Sequence, residues 1–212
     1  MPDNYPPQPH LDYANRWVLA KDTGNFIARE AQRYDSDGTH ACGFVYADHT
    51  AGLTMRVEFF CHMKSRDEIE LRGGPRAQNS MLLYRYDIFK DFTLHPLSDQ
   101  QIVALQLPKE PIGMDAYLRQ DLEPLRELEL LHPLRAPGFP DDIRFMVLPP
   151  SRNQSPEVVW GRIERQLDPA HFECILLNQP HADLGLRVND RVVVNVRKVE
   201  NGMVSVCVGR LK

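Results

Sequence analysis

Apolar and polar positions alternate with period two over much of this chain. Along residues 53–64, Leu53, Met55, Val57, Phe59, Cys61 and Met63 alternate with Thr54, Arg56, Glu58, Phe60, His62 and Lys64. Successive side chains of a strand point to opposite faces, so this run predicts a strand with one face buried. Cys42 to Ala47 predicts a neighbouring strand, and Asp48-His49-Thr50-Ala51-Gly52 between them suits a hairpin loop. Met81 to Phe89 reads as a further strand. Beyond Pro133, Pro137 and Pro140 the alternation returns in five short runs: Ile143 to Leu148, Val158 to Gln166, Phe172 to Asn178, Arg191 to Val199 and Met203 to Val208. Asn201-Gly202 is the strongest two-residue hairpin signal in the chain, and Asp168-Pro169 marks another turn.

Helical periodicity is confined to the first two thirds. Phe26, Ile27 and Ala31 predict a helix over Asp22 to Tyr34, with Asp22 or Thr23 as its N-cap and Asp35-Ser36-Asp37-Gly38 as its stop. Ser98 with Gln101 three residues on forms a capping box that favours a helix over Gln101 to Leu107, while the alternation of Val103, Leu105 and Leu107 favours a strand. Leu118, Leu122, Leu125, Leu128 and Leu131 predict a helix over Asp115 to Leu131, kinked or restarted at Pro124. Gly73-Gly74-Pro75 is a firm break. The expected architecture is α+β: a flexible tail over 1–12, an N-terminal α+β module over 13–140, and a five-stranded antiparallel, barrel-like β-domain over 141–212. The prolines of 133–140 are the expected boundary.

Inside the last segment lies an ordered set of residues: Trp160, Gly161, Arg162 and Ile163; then Phe172, Leu176, Asn178 and Pro180; then Gly185, Leu186, Asp190 and Val192. It resembles a family of small bacterial domains of unknown function. The family carries a Trp-x-Arg/Lys-Val/Ile strand, a Phe-x-Gly-x-Leu-x-Asn-x-Pro strand and turn, and a Gly-Leu-x-x-Gly-Asp-x-Val lead into the next strand. Cys174 and Asn189 stand here where the family has Gly, and Asn tolerates the positive φ that such a turn requires. The resemblance covers about the last third of the chain. It implies a compact β-domain, often appended to others, with no catalytic residues assigned; some relatives look like parts of bacterial contact-dependent or polymorphic-toxin systems.

The chain has 212 residues with 42% hydrophobic and 25% charged side chains, enough for a sizeable core. Its net charge is −4, and neither segment has the basic excess of a dedicated nucleic-acid binder. No apolar run approaches the ~20 residues needed to cross a bilayer. The N-terminus lacks the basic and apolar regions of a secretory signal, so a cytoplasmic location is expected. Cys42, Cys61, Cys174 and Cys207 form no C-x-x-C pair and are expected as buried thiols, with two disulfides as the alternative.

Candidate chemistry is sparse. His40, Cys42, Cys61 and His62 lie on neighbouring predicted strands and supply four zinc-ligating types, but Cys61 and His62 point to opposite strand faces. No nucleophile elbow is present, and Gly73-Gly74-Pro75-Arg76 lacks the spacing of a phosphate-binding loop, so it reads as a turn. Trp160, Arg162, Phe172, Arg191 and Arg197 place aromatics and cations on neighbouring strands, a pattern small barrels use for single-stranded nucleic acid. The competing expectation, that Trp160 and Phe172 are core, is preferred. The expected function is a non-enzymatic binding protein without metal or cofactor, with a protein partner, of an immunity-like kind where the resemblance is followed. The alternatives are an enzyme with a site built from the N-terminal histidines, favoured by a pocket of convergent polar groups, and a nucleic-acid-binding barrel. Trp160, Arg162, Phe172, Asn178, Pro180, Gly185 and Asp190 are expected as structural motif residues.

Overall fold

The computed structural model describes residues 9–65, 68–114, 117–150, 153–200 and 202–211. The expected tail therefore lies largely outside the described residues, as does Asn201. The chain forms two compact units, 9–118 and 119–212, and both are mostly β.

The N-terminal unit is built on an antiparallel sheet. Its strands are β1 (Arg16–Lys21), β2 (His40–Asp48), β3 (Gly52–Met63), β4 (Ile69–Leu71), β5 (Leu82–Arg85) and β6 (Thr93–Pro96), in the order β4-β3-β2-β1-β6, with β5 also on β3. The β2–β3 hairpin closes at Asp48↔Gly52, where Asp48 Oδ1 accepts the Thr50 and Ala51 N–H groups at 3.0 Å. The expectation of one buried face on β3 is corrected. Both faces of β1, β2 and β3 are covered, and every residue of β2 is buried. One cluster gathers Val18, Val45, Met55, Phe60 and Tyr84 with Ile27 and Ala31 of helix α1 (Phe26–Gln32). The other gathers Trp17, Leu19, Cys42, Phe44, Tyr46 and Cys61 under Leu107 and Met114.

The helices are short, so the α+β expectation resolves into a mainly β protein. Asn25, not Asp22 or Thr23, occupies the N-cap of α1. Asp22 nonetheless accepts the otherwise orphaned N–H groups of Phe26 at 2.6 Å and Ile27 at 3.2 Å. The segment expected as a strand from Met81 divides into β5 and the four-residue helix α2 (Tyr86–Phe89). For the ambiguous 101–107 segment the capping box prevails: Ser98 caps α3 (Asp99–Ala104) and exchanges hydrogen bonds with Gln101.

The C-terminal unit begins with a broken chain of turns where one helix was expected. A 3-10 turn over Gln120–Leu122 passes into α4 (Glu123–Arg126), with Pro124 in its first turn, and a second 3-10 segment runs over Glu129–Leu134 around Pro133. The leucines keep their inward face, since Leu122, Leu125, Leu131 and Leu134 all join the barrel core. Arg126 ties this segment down with a buried two-point pair to Asp141, at 2.9 and 2.8 Å. Residues 119–140 thus pack with the barrel, and the proline-rich stretch lies inside this unit.

The strands here are β7 (Arg135–Ala136), β8 (Phe139–Val147), β9 (Glu157–Asp168), β10 (His171–Leu176), β11 (Arg191–Val199) and β12 (Gly202–Arg210). β8 to β12 follow one another as an antiparallel meander that closes into a barrel, with β7 on β8. Closure corrects the all-antiparallel expectation. In a five-stranded meander the first and last strands run the same way, so β12 meets β8 in parallel, at Val206↔Met146. Ser205 Oγ–H reinforces the seam by donating to the Arg144 carbonyl at 2.7 Å. Irregular register in β9–β10 and β11–β12 supplies curvature. Ile143, Phe145, Val159, Ile163, Phe172, Cys174, Val192 and Val194 fill the interior.

Candidate ligand cleft

The residues singled out in the C-terminal third are engaged in scaffolding. Phe172 is fully buried in the barrel. Asn178 Oδ1 accepts the Trp160 N–H at 2.7 Å, which satisfies backbone beyond the end of β10. Asp190 accepts the Arg187 N–H at 2.8 Å and pairs with Arg210 at 2.7 Å. Asn189 has φ 71 and Gly185 φ 75, the left-handed backbone expected of that turn, and Pro180 is buried. Arg162 is paired with Asp142 at 2.8 Å.

Trp160 is corrected from core to a half-buried position on the outer face. The strand period decides it. Val159, Gly161 and Ile163 face inward, so Trp160 and Arg162 face out. Gly161 sits inside because a Cβ there would lie 2.5 Å from Phe145 Cε1.

Nor does the structure assemble His40, Cys42, Cys61 and His62 into one site. Among the described residues no group of three or more His, Cys, Asp or Glu is placed to hold a metal ion. Cys42 and Cys61 are buried in the sheet, and burial pushes the Cys61 thiol up to about 12 and the Cys42 thiol higher still. His40 Nδ1 and His62 Nδ1 instead share the Thr39 hydroxyl, at 3.0 and 3.3 Å. His40 Nε2 is buried without a protein partner among the described residues, and burial lowers its pKa, with Lys21, His62 and His95 adding to the effect. His62 reaches Asp37 at 3.6 Å, but Asp37 is held in a two-point pair by Arg72, at 2.6 and 2.7 Å. That guanidinium holds the Asp37 carboxyl down at about 2. In the shallow depression of about 490 Å³ around Asp35, Asp37 and Arg72 the guanidinium is thus already taken by Asp37.

A better-formed cleft of about 360 Å³ lies elsewhere in the N-terminal unit, lined by Trp17, Arg56, Glu58, Arg76, Asn79, Ser80 and the loop residues Pro108, Pro111 and Ile112. Two side chains of the sheet pin that loop: Trp17 Nε1–H donates to the Pro108 carbonyl and Arg56 Nη1–H to the Ile112 carbonyl, each at 2.8 Å. Arg56 also pairs with the buried Glu58 at 2.8 Å. Arg76, Asn79 and Ser80, just after the Gly73-Gly74-Pro75 break, supply further lining. Gly74 has φ 138, and a Cβ on it would come within 2.9 Å of Phe59 Cα. This close approach seats the Pro75–Gln78 turn against β3 and brings the Arg76 guanidinium to 5.5 Å from the Phe59 ring centre. Apart from that ring, Arg76 has no partner among the described residues, and neither do the Asn79 and Ser80 side chains.

Sequence reasoning places Arg56 and Glu58 on the solvent side of an alternating strand and reads Gly73-Gly74-Pro75-Arg76 as a turn. The second reading holds locally, but neither finds the cleft, which depends on a loop some fifty residues further along the chain. The doubled glycine followed by a cation was the available signal. No family model, curated protein or solved structure matches the chain.

Proposed function

We propose that the protein is a non-enzymatic binding protein whose ligand site is the cleft of the N-terminal unit, where it accepts an anionic small molecule. One observation carries this reading: Arg76 lines a walled cleft with no carboxylate paired to it among the described residues, beside an Arg56–Glu58 pair that is already complete. Convergent polar groups in a pocket also suit an enzyme. Here, however, the described lining residues are groups that hold a ligand. Glu58 is engaged by Arg56, and no histidine is among the described lining residues to take a proton from Ser80.

Of the five residues behind the nucleic-acid reading, half-buried Trp160 on the outer face and exposed Arg197 stay available, and the other three are otherwise engaged. Phe172 is core, Arg162 is paired with Asp142, and Arg191 with the buried Glu173. A toxin-neutralising role with a protein partner rests on the family resemblance of the last third alone. Among the described residues no helix is long and apolar enough to cross a membrane.

The test is calorimetric titration of the full chain with a panel of small mono- and dianions, repeated on Arg76→Gln. Saturable one-to-one binding that Arg76→Gln abolishes supports the reading. Binding unaffected by Arg76→Gln, or by none of the panel, overturns it, and consumption of the bound anion would favour the enzyme.

A further inference from the structure

We infer that the cleft selects a monocarboxylate attached to an apolar body of small-molecule size. This inference rests on the anion-binding reading above and narrows it to a chemical class.

Charge decides the anion. Arg56 and Glu58 neutralise each other at 2.8 Å, so Arg76 is the one unbalanced charge among the described lining residues. A single negative charge completes the balance. The described lining residues offer no second unpaired cation for the further charge of a phosphate dianion. Shape agrees with charge. A guanidinium is a planar fork that takes both oxygens of a carboxylate at once, and its contact with the Phe59 ring limits the directions that fork can face. The Ser80 hydroxyl and the Asn79 amide add donors to the lining.

The rest of the lining decides the body. Trp17, Pro108, Pro111 and Ile112 give the cleft an apolar wall. Ile112 is 88% exposed, the most exposed large hydrophobic among the described residues, although its carbonyl is fixed by Arg56. An apolar side chain left uncovered at a cleft, on backbone that Arg56 fixes, is what an apolar ligand would cover. The volume of about 360 Å³ is at the small end of small-molecule sites, which span roughly 300–1,000 Å³.

The experiment uses the full chain and four probes: 3-phenylpropionate, its uncharged amide, acetate and inorganic phosphate. Binding is read by calorimetry and by the Trp17 indole N–H resonance, which reports on the cleft through its bond to Pro108. The expected result is that 3-phenylpropionate moves the Trp17 signal and binds about tenfold or more tighter than the amide, acetate or phosphate. Arg76→Gln should weaken it by roughly ten- to a hundredfold, the loss of one charge-assisted pair. Ile112→Ser should weaken 3-phenylpropionate and leave acetate unchanged, because the Ile112 backbone contact with Arg56 survives. Both positions are exposed, and a thermal melt of each variant checks that it is folded. Phosphate binding through Arg76 as tightly as 3-phenylpropionate, or equal binding of the amide, overturns the inference; in the phosphate case anion binding stands. If no probe moves the Trp17 signal, both fall.

Discussion

Replacing Gly161 by Ala tests how the barrel is packed. Gly161 lies on β9 without a positive φ, so Ala can adopt its backbone. The difficulty is space. The new methyl would sit 2.5 Å from Phe145 Cε1, 3.1 Å from Phe145 Cζ and 3.3 Å from Cys174 Cβ. Ordinary carbon contacts are about 3.5–4.0 Å, so the Phe145 ring must move by roughly an ångström inside a filled core. Overpacking of this kind costs about 1–3 kcal/mol. Ala also reduces the freedom of the unfolded chain, which returns about 0.4–1 kcal/mol. The net expectation is a loss of about 1–2 kcal/mol. The chain has two tryptophans, Trp17 and Trp160, one in each unit, so urea unfolding in a Trp17→Phe background reads the barrel through Trp160. Phe145→Leu removes the obstructing ring atoms. On that background Gly161→Ala should be neutral or slightly stabilising, giving a coupling of about 1 kcal/mol or more. Equal effects of Gly161→Ala with and without Phe145 would refute the reasoning, because the contact that makes glycine necessary would then not exist.

Three further outcomes are expected. The Asp37 carboxyl should titrate at about 2 by NMR, because the Arg72 guanidinium favours its charged form, and Arg72→Gln should return it towards 3.8. Since the folded value is depressed, its stabilising contribution is present above about 4 and is lost as pH falls through about 2; an unshifted midpoint in the wild type would show that the Asp37–Arg72 pair does not form in solution. A thiol reagent at pH 8 should modify half-buried Cys207 before the other three, with Cys42, Cys61 and Cys174 reacting only on unfolding, because burial raises all four pKa values and covers the last three completely. Mass spectrometry of timed samples gives the order, and early labelling of Cys42 or Cys61 would contradict the two-sided burial of β2 and β3. Asn178→Ala should cost about 0.5–1.5 kcal/mol in the same urea assay, by removing the acceptor of the Trp160 N–H; no loss would mean that water replaces it at no cost.

Local rules were legible wherever one residue or one short pattern suffices. The β2–β3 hairpin, the Ser98–Gln101 capping box, the positive φ of Asn189 and the strand runs of the last third are all decided within about ten residues of chain, by side-chain period, capping and turn chemistry. The leucines of 118–131 announced an inward face, and Pro124 announced the restart, although short 3-10 pieces replaced the expected helix. What alternation cannot reveal is what covers the second face of a strand. Arg56 and Glu58 look solvent-facing in isolation, and only the distant Pro108–Ile112 loop, pinned by Trp17 and Arg56, turns that face into a cleft. Likewise the choice between Trp160 and Gly161 for the interior is one bit of register, set by the Phe145 ring on the neighbouring strand β8. The parallel β8–β12 seam follows from closing an odd meander, which appears only when its ends meet. In each case the deciding contact joins residues far apart in the chain, so no window of sequence contains both partners.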